Sequence, residues 1–119
     1  MIRRTLLRAK IHRAVVTHVD LHYVGSLTVD EALMEAADLH EFELVQIADV
    51  DNGSRLETYV LRGERGSGII GANGAAARLL ELGDRIIIMA FAQVDEPLPE
   101  EWAPKIILVD DQNQISEVR

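Results

Sequence analysis

The apolar residues of this sequence fall into short, β-rich runs parted by turn residues, which points to a small, mainly β architecture with short helices. Thr5 to Ile11 and Ala14 to Leu21 come first. In the second, Val15, Thr17, Val19 and Leu21 share one parity, as on a half-buried strand. Glu43 to Val50 and Leu56 to Leu61 flank Asp51-Asn52-Gly53-Ser54, a hairpin signal because asparagine and glycine both tolerate positive φ. Arg85 to Val94 reads as a buried strand, and Lys105 to Val109 and Ile115 to Val118 as late strands. Asp30 to Leu39 predicts a helix with Asp30 or Thr28 as its N-cap, and Ala75 to Leu82 one or two turns closed by Gly83. Tyr23-Val24-Gly25-Ser26 is a bend. Gly63 to Gly74 is a loop with a brief strand at Ile69-Ile70, and Glu96 to Pro104, which holds all three prolines, is a connector. Pieces of this size over 119 residues suit one domain, 1–119, of barrel or sandwich type.

Composition removes several classes of chemistry. Without cysteine there are no disulfides, thiol nucleophiles or thiolate metal sites. The two lysines, Lys10 and Lys105, and the small size argue against a pyridoxal enzyme, which must enclose its cofactor around a Schiff-base lysine. A formal charge of −8 disfavours nucleic acid. It says little about a small anion, because surface charge is damped beyond about 8 Å at physiological salt. No apolar run approaches the roughly 18 residues of a membrane span, and the basic start MIRRTLLRAKIHR is too interrupted for a signal peptide, so the expected location is the cytoplasm.

Three constellations remain. His12, His18, Asp20 and His22 share a parity and on one uninterrupted strand would share a face, either as metal ligands or as a solvated polar edge. Gly66-Ser67-Gly68-Ile69-Ile70-Gly71 matches the spacing of a dinucleotide loop but has no βαβ unit around it, and reads as a glycine-rich turn. Gly25-Ser26 alone is a turn. A serine-hydrolase triad with His22 and Asp20 fails, since triad members converge from separate elements.

The sequence around that pair changes its weight. Lys10 to Ser26 (KIHRAVVTHVDLHYVGS), Asp51 to Tyr59 (DNGSRLETY) and Glu64 to Ala77 (ERGSGIIGANGAAA), followed by Gly83-Asp84 and an apolar strand, strongly resemble the aspartate 1-decarboxylases, in order and over nearly the whole chain. The resemblance implies a six-stranded double-psi β-barrel, assembled as a homotetramer with sites near subunit interfaces. It implies decarboxylation of L-aspartate at the α-carboxylate to β-alanine and CO2, feeding pantothenate and coenzyme A synthesis. The cofactor would be a pyruvoyl group made from Ser26 by self-cleavage after Gly25, giving chains 1–25 and 26–119; neither a metal nor pyridoxal phosphate is needed.

On this resemblance Gly25 would allow a strained turn and an open carbonyl, and Thr58 would assist by hydrogen bonding to that carbonyl. The pyruvoyl carbonyl would form a Schiff base with the substrate amine and accept the electrons left by CO2. Arg55 would clamp a carboxylate through its planar fork, worth about 1.5–3 kcal/mol per charge-assisted hydrogen bond. Tyr59 would return the proton, Asn73 with the Gly74-Ala75-Ala76 backbone would hold the cofactor, and Lys10, His12 and Tyr23 would complete the wall. Ala48 stands where several relatives carry a tryptophan, and Leu27 follows the serine where others have a smaller or branched residue. Unaided cleavage and cleavage with a helper protein both stay open.

Overall fold

The computed structural model describes the whole chain, Met1–Arg119. It is mainly β: β1 Arg3–Val15, β2 His18–Asp20, β3 Ser26–Asp30, β4 Leu44–Asp49, β5 Arg55–Gly63, β6 Ile70–Asn73, β7 Arg85–Asp95, β8 Lys105–Val109 and β9 Ile115–Val118. One α-helix, α1, spans Glu31–Ala37, and a 3-10 helix spans Gly74–Arg78. The strands hydrogen-bond in the order β2-β6-β3-β5-β4-β7-β1-β8-β9. The nine strands exceed the six implied by the resemblance because short segments such as β2 and β9 also pair. No helix is long and apolar enough to cross a membrane.

Three neighbouring pairs are parallel, namely β1 with β8, β2 with β6 and β3 with β5, so the chain crosses over rather than meandering. The first two expected strands divide differently from the reading of their apolar runs. β1 continues through His12 and Arg13 by a register shift between Ile11 and Ala14, with Arg13 at φ 63°. The chain then changes partners. The Val16 amide still donates to Asp84, while the Thr17 amide donates to Ile70, and only His18–Asp20 pair onward as β2.

The core is aliphatic. Ile11, Leu27, Val29, Val45, Ile47, Val60, Ile70, Ile86, Ile88 and Ile107 are all fully buried, drawn from seven strands. Two buried polar residues fasten the loops around it. The Asp30 carboxylate caps α1 by accepting from the Ala32 amide at 2.8 Å, and also accepts from the amides of Gly66 (2.9 Å) and Gly68 (2.8 Å). Those glycine amides are thus spent on a side chain of the same protein, and no α-helix opens within the glycine-rich turn. Asn113, at φ 57°, pairs through its amide with both backbone atoms of Val15 at 2.8 Å and ties the β8–β9 turn to the end of β1.

Candidate active site

β6 lies between β2 and β3, with Asn73 level with Asp20 on one side and Ser26 on the other. β2 runs parallel to β6 and β3 antiparallel, so residues 21–25 must cross the end of β6 to connect them. Two strand spacings amount to roughly 9.5 Å, and the crossing hugs the residue that follows Asn73. That residue is Gly74, at φ 63°. A Cβ there would stand 2.7 Å from the Gly25 Cα, 2.9 Å from the Gly25 nitrogen and 3.0 Å from the Tyr23 carbonyl oxygen. Asp20 starts the crossing, its Oδ1 accepting from the His22 amide at 3.1 Å.

The glycine whose backbone requires it is therefore Gly74. Gly25 was expected to take a strained turn, but its φ is outside the positive region and a Cβ placed on it would meet nothing within 4 Å. What Gly25 provides is the absence of a side chain beside its own carbonyl.

Ser26 begins β3 and is completely buried. Its hydroxyl donates to the Val24 carbonyl at 3.0 Å and accepts from Asn73 Nδ2, also at 3.0 Å. Asn73 Nδ2 uses its second hydrogen on Thr28 Oγ1 at 2.9 Å. An amide with both donors engaged has one orientation, so it fixes the serine oxygen in turn. Thr28 was missed as a site residue, although it lies two positions after Ser26 and so on the same face of the strand.

The other expected residues are placed as follows. Thr58 is half-buried on β5, and no hydrogen bond joins it to Gly25; the hydroxyl linked to Ser26 through Asn73 is Thr28's. Tyr59 precedes Val60, the register partner of Leu27, and its ring lies 6.5 Å from that of Phe42. Arg55 opens β5 four residues earlier, about 13 Å along an extended strand. It is exposed, bonds to no carboxylate of its own chain, and pairs across the hairpin with Ala48. Beside it is a groove of about 270 Å³ lined by Gln46, Ile47, Leu56 and Glu57. Tyr23 is 52% exposed on the crossing loop, whereas Ala76 is buried and Ala75 exposed in the 3-10 helix.

Lys10 and His12 lie on β1, separated from β3 in the sheet by β5, β4 and β7. His12 Nδ1 is buried without a hydrogen-bond partner. Its pKa is lowered by that burial and by the neighbouring charges of Lys10, Arg13 and Arg119. None of the cavities of the single chain is lined by Ser26.

The shared histidine face does not form. The register shift after Ile11 and the change of partners at Val16–Thr17 divide the run, which leaves His18 Nδ1 beside Thr17 Oγ1 (2.7 Å) and His22 in a turn. The side chains grouped closely enough to share a cation are instead Asp49, Asp51 and Asp84.

Comparison with known proteins adds two findings. A family model described as aspartate decarboxylase matches residues 1–116. Among solved structures, the computationally designed msDPBB_sym2 protein is similar at a TM-score of 0.44 and 21% identity, over 71% of this chain and 96% of that one.

Proposed function

The chain belongs to the aspartate decarboxylase family and is a carboxy-lyase, and from that premise we propose that it makes its own cofactor at Ser26 and removes the α-carboxylate of L-aspartate, giving β-alanine and CO2. The observation that carries this reading is the Ser26 hydroxyl, buried at the start of β3 and held between the Val24 carbonyl and Asn73 directly after Gly25. A surface serine in a turn has no such confinement.

In maturation the Ser26 oxygen attacks the Gly25 carbonyl carbon, and the peptide bond becomes an ester. Loss of the Ser26 α-proton expels the Gly25 carboxylate and leaves dehydroalanine. Water then replaces its nitrogen, which departs as ammonia, and a pyruvoyl group ends the 26–119 chain. The Val24 carbonyl orients the attacking hydroxyl through the bond it accepts. Gly74, by having no side chain, lets the Gly25 backbone lie against the end of β6.

The residues present fit the group: position 26 is buried, and the one side chain aimed at its polar atom is a donor, Asn73. When formed, the pyruvoyl carbonyl supplies an electron sink for decarboxylation. Asn73 with the Gly74-Ala75-Ala76 backbone holds it. Arg55, unpaired within its chain, binds a substrate carboxylate, and Tyr59 returns a proton to the carbon that loses CO2. Thr58 assists cleavage, and Lys10, His12 and Tyr23 complete the wall. About 13 Å of strand separates Arg55 from Tyr59, which favours a pocket completed by a second subunit of a homotetramer. The exposed apolar residues Val19, Leu21, Tyr23 and Val24 around the junction support that assembly. The enzyme would act in the cytoplasm, supplying β-alanine for pantothenate, with or without a maturation helper.

Incubation of matured protein with L-aspartate tests this. β-Alanine and CO2 should form in equal amounts, and Ser26→Ala should form neither. Turnover by Ser26→Ala would overturn the assignment.

A further inference from the structure

Asp49 closes β4 with only 3% of its surface exposed. Its Oδ1 is committed to the hairpin, accepting from the amides of Asp51 (2.8 Å) and Asn52 (3.2 Å). Its Oδ2 is equally buried and has no hydrogen-bond partner. A buried oxygen without a donor is costly, and here the neighbouring side chain is another acid, Asp84. One oxygen from each of Asp49, Asp51 and Asp84 lies within 4.8 Å of the others.

The other two carboxylates are also held by one oxygen each. Asp51 Oδ2 accepts from the Arg85 amide at 2.7 Å, and Asp84 Oδ2 accepts from the Glu81 amide at 3.0 Å. No side-chain cation serves the group, because the guanidinium of nearby Arg85 turns to Asp111 at 2.7 Å. The Asp49 pKa is raised by burial and by Asp84, against the pull of the two turn amides. Three acids held by backbone amides thus crowd together, and one of them keeps a buried oxygen that no donor serves.

We propose that Asp49, Asp51 and Asp84 form a binding site for one divalent, oxygen-preferring cation, best suited to calcium, which ties the β4–β5 hairpin to the start of β7. Ca²⁺ takes carboxylate oxygens in flexible geometry, whereas Mg²⁺ demands near-ideal octahedral geometry and gives up its waters reluctantly, so acids whose positions are already fixed by backbone amides favour Ca²⁺. Zinc prefers nitrogen and sulfur ligands, which the group lacks. Asp51 is exposed, so water can fill the remaining coordination positions. The rival occupant is a single proton shared by Asp49 and Asp84.

Calorimetric titration of the full chain, freed of metals with a chelator, with CaCl2 and separately with MgCl2 near pH 7 decides between them. One Ca²⁺ should bind per chain, with Mg²⁺ at least tenfold weaker. The unfolding midpoint should rise by about 10 °C at a hundredfold excess over Kd. Asp49→Asn keeps an oxygen for the turn amides and places a donor toward Asp84, so it should stay folded, bind no Ca²⁺ and show no calcium-dependent midpoint. Should that variant not fold, Asp51→Asn at the exposed position should weaken binding at least tenfold. Absence of both heat and midpoint shift at millimolar Ca²⁺ would overturn the site in favour of the shared proton. Undiminished binding by Asp49→Asn, or by Asp51→Asn where that variant is used, would overturn it too.

Discussion

Gly74 and Gly25 touch through their backbones: a Cβ on Gly74 would lie 2.7 Å from the Gly25 Cα, whereas a Cβ on Gly25 would meet nothing within 4 Å. The two glycines on either side of the junction should therefore respond differently to alanine. Gly74→Ala adds about 1–2 kcal/mol of left-handed strain and must also push the crossing loop away. Urea unfolding should show a loss of about 2 kcal/mol or more, with cleavage after residue 25 slowed at least tenfold. Gly25→Ala should keep stability within about 0.5 kcal/mol. Equal losses for the two would show that the crossing loop is not seated on Gly74.

Asn73 is the one side chain that donates to Ser26, and it holds Thr28 with the same amide. Asn73→Leu leaves two hydroxyls without their donor, at a cost of about 1–3 kcal/mol. Thr28→Val removes only the second contact and should cost less. Mass spectrometry over time should find cleavage slowed most in Asn73→Leu, less in Thr28→Val, and nearly restored in Thr28→Ser. The same rate in all three would mean that Asn73 does not orient the nucleophile.

The Asp30 carboxylate accepts three amides from α1 and the glycine-rich turn while 1% exposed. In Asp30→Asn, an NH₂ group must face at least one amide donor. A loss of about 2–4 kcal/mol follows from one broken charged bond and one buried donor left unpaired. Denaturant midpoints would check it, and a change below about 0.5 kcal/mol would contradict the bonding described.

Burial, then Lys10, Arg13 and Arg119, lower the His12 pKa from 6.5 in the folded chain. Between the lowered value and 6.5 the unfolded chain binds more protons, so stability rises with pH across that window. The contribution is complete above pH 6.5 and is lost as pH falls through the window. Urea unfolding from pH 5 to pH 8 should show that slope in the native chain and a smaller one in His12→Gln. An unchanged slope in the variant would assign it to other groups.

Much of the fold was legible because local rules and tertiary structure agree. Asp30 caps α1, Asn52-Gly53 turns a hairpin, and the apolar run from Arg85 forms β7. The break in the histidine run was not legible, since it comes from a change of strand partner at Val16–Thr17 and not from any local turn signal. At the candidate site, Ser26 and Asn73 were found through a resemblance, and the structure joins them by a hydrogen bond. The role of Gly74 was hidden because positive φ and close approach depend on which loop crosses above it. Thr28 was hidden because its partner is 45 residues away.

The most direct measurement is the intact mass of the purified native chain, followed until it stops changing. Two pieces should appear, 1–25 ending in a free carboxylate at Gly25 and 26–119 beginning with a ketone in place of an amine, while Ser26→Ala stays whole. A native chain that remains a single 13.2 kDa species after prolonged warming, alone and with cell extract, would contradict self-processing at Ser26.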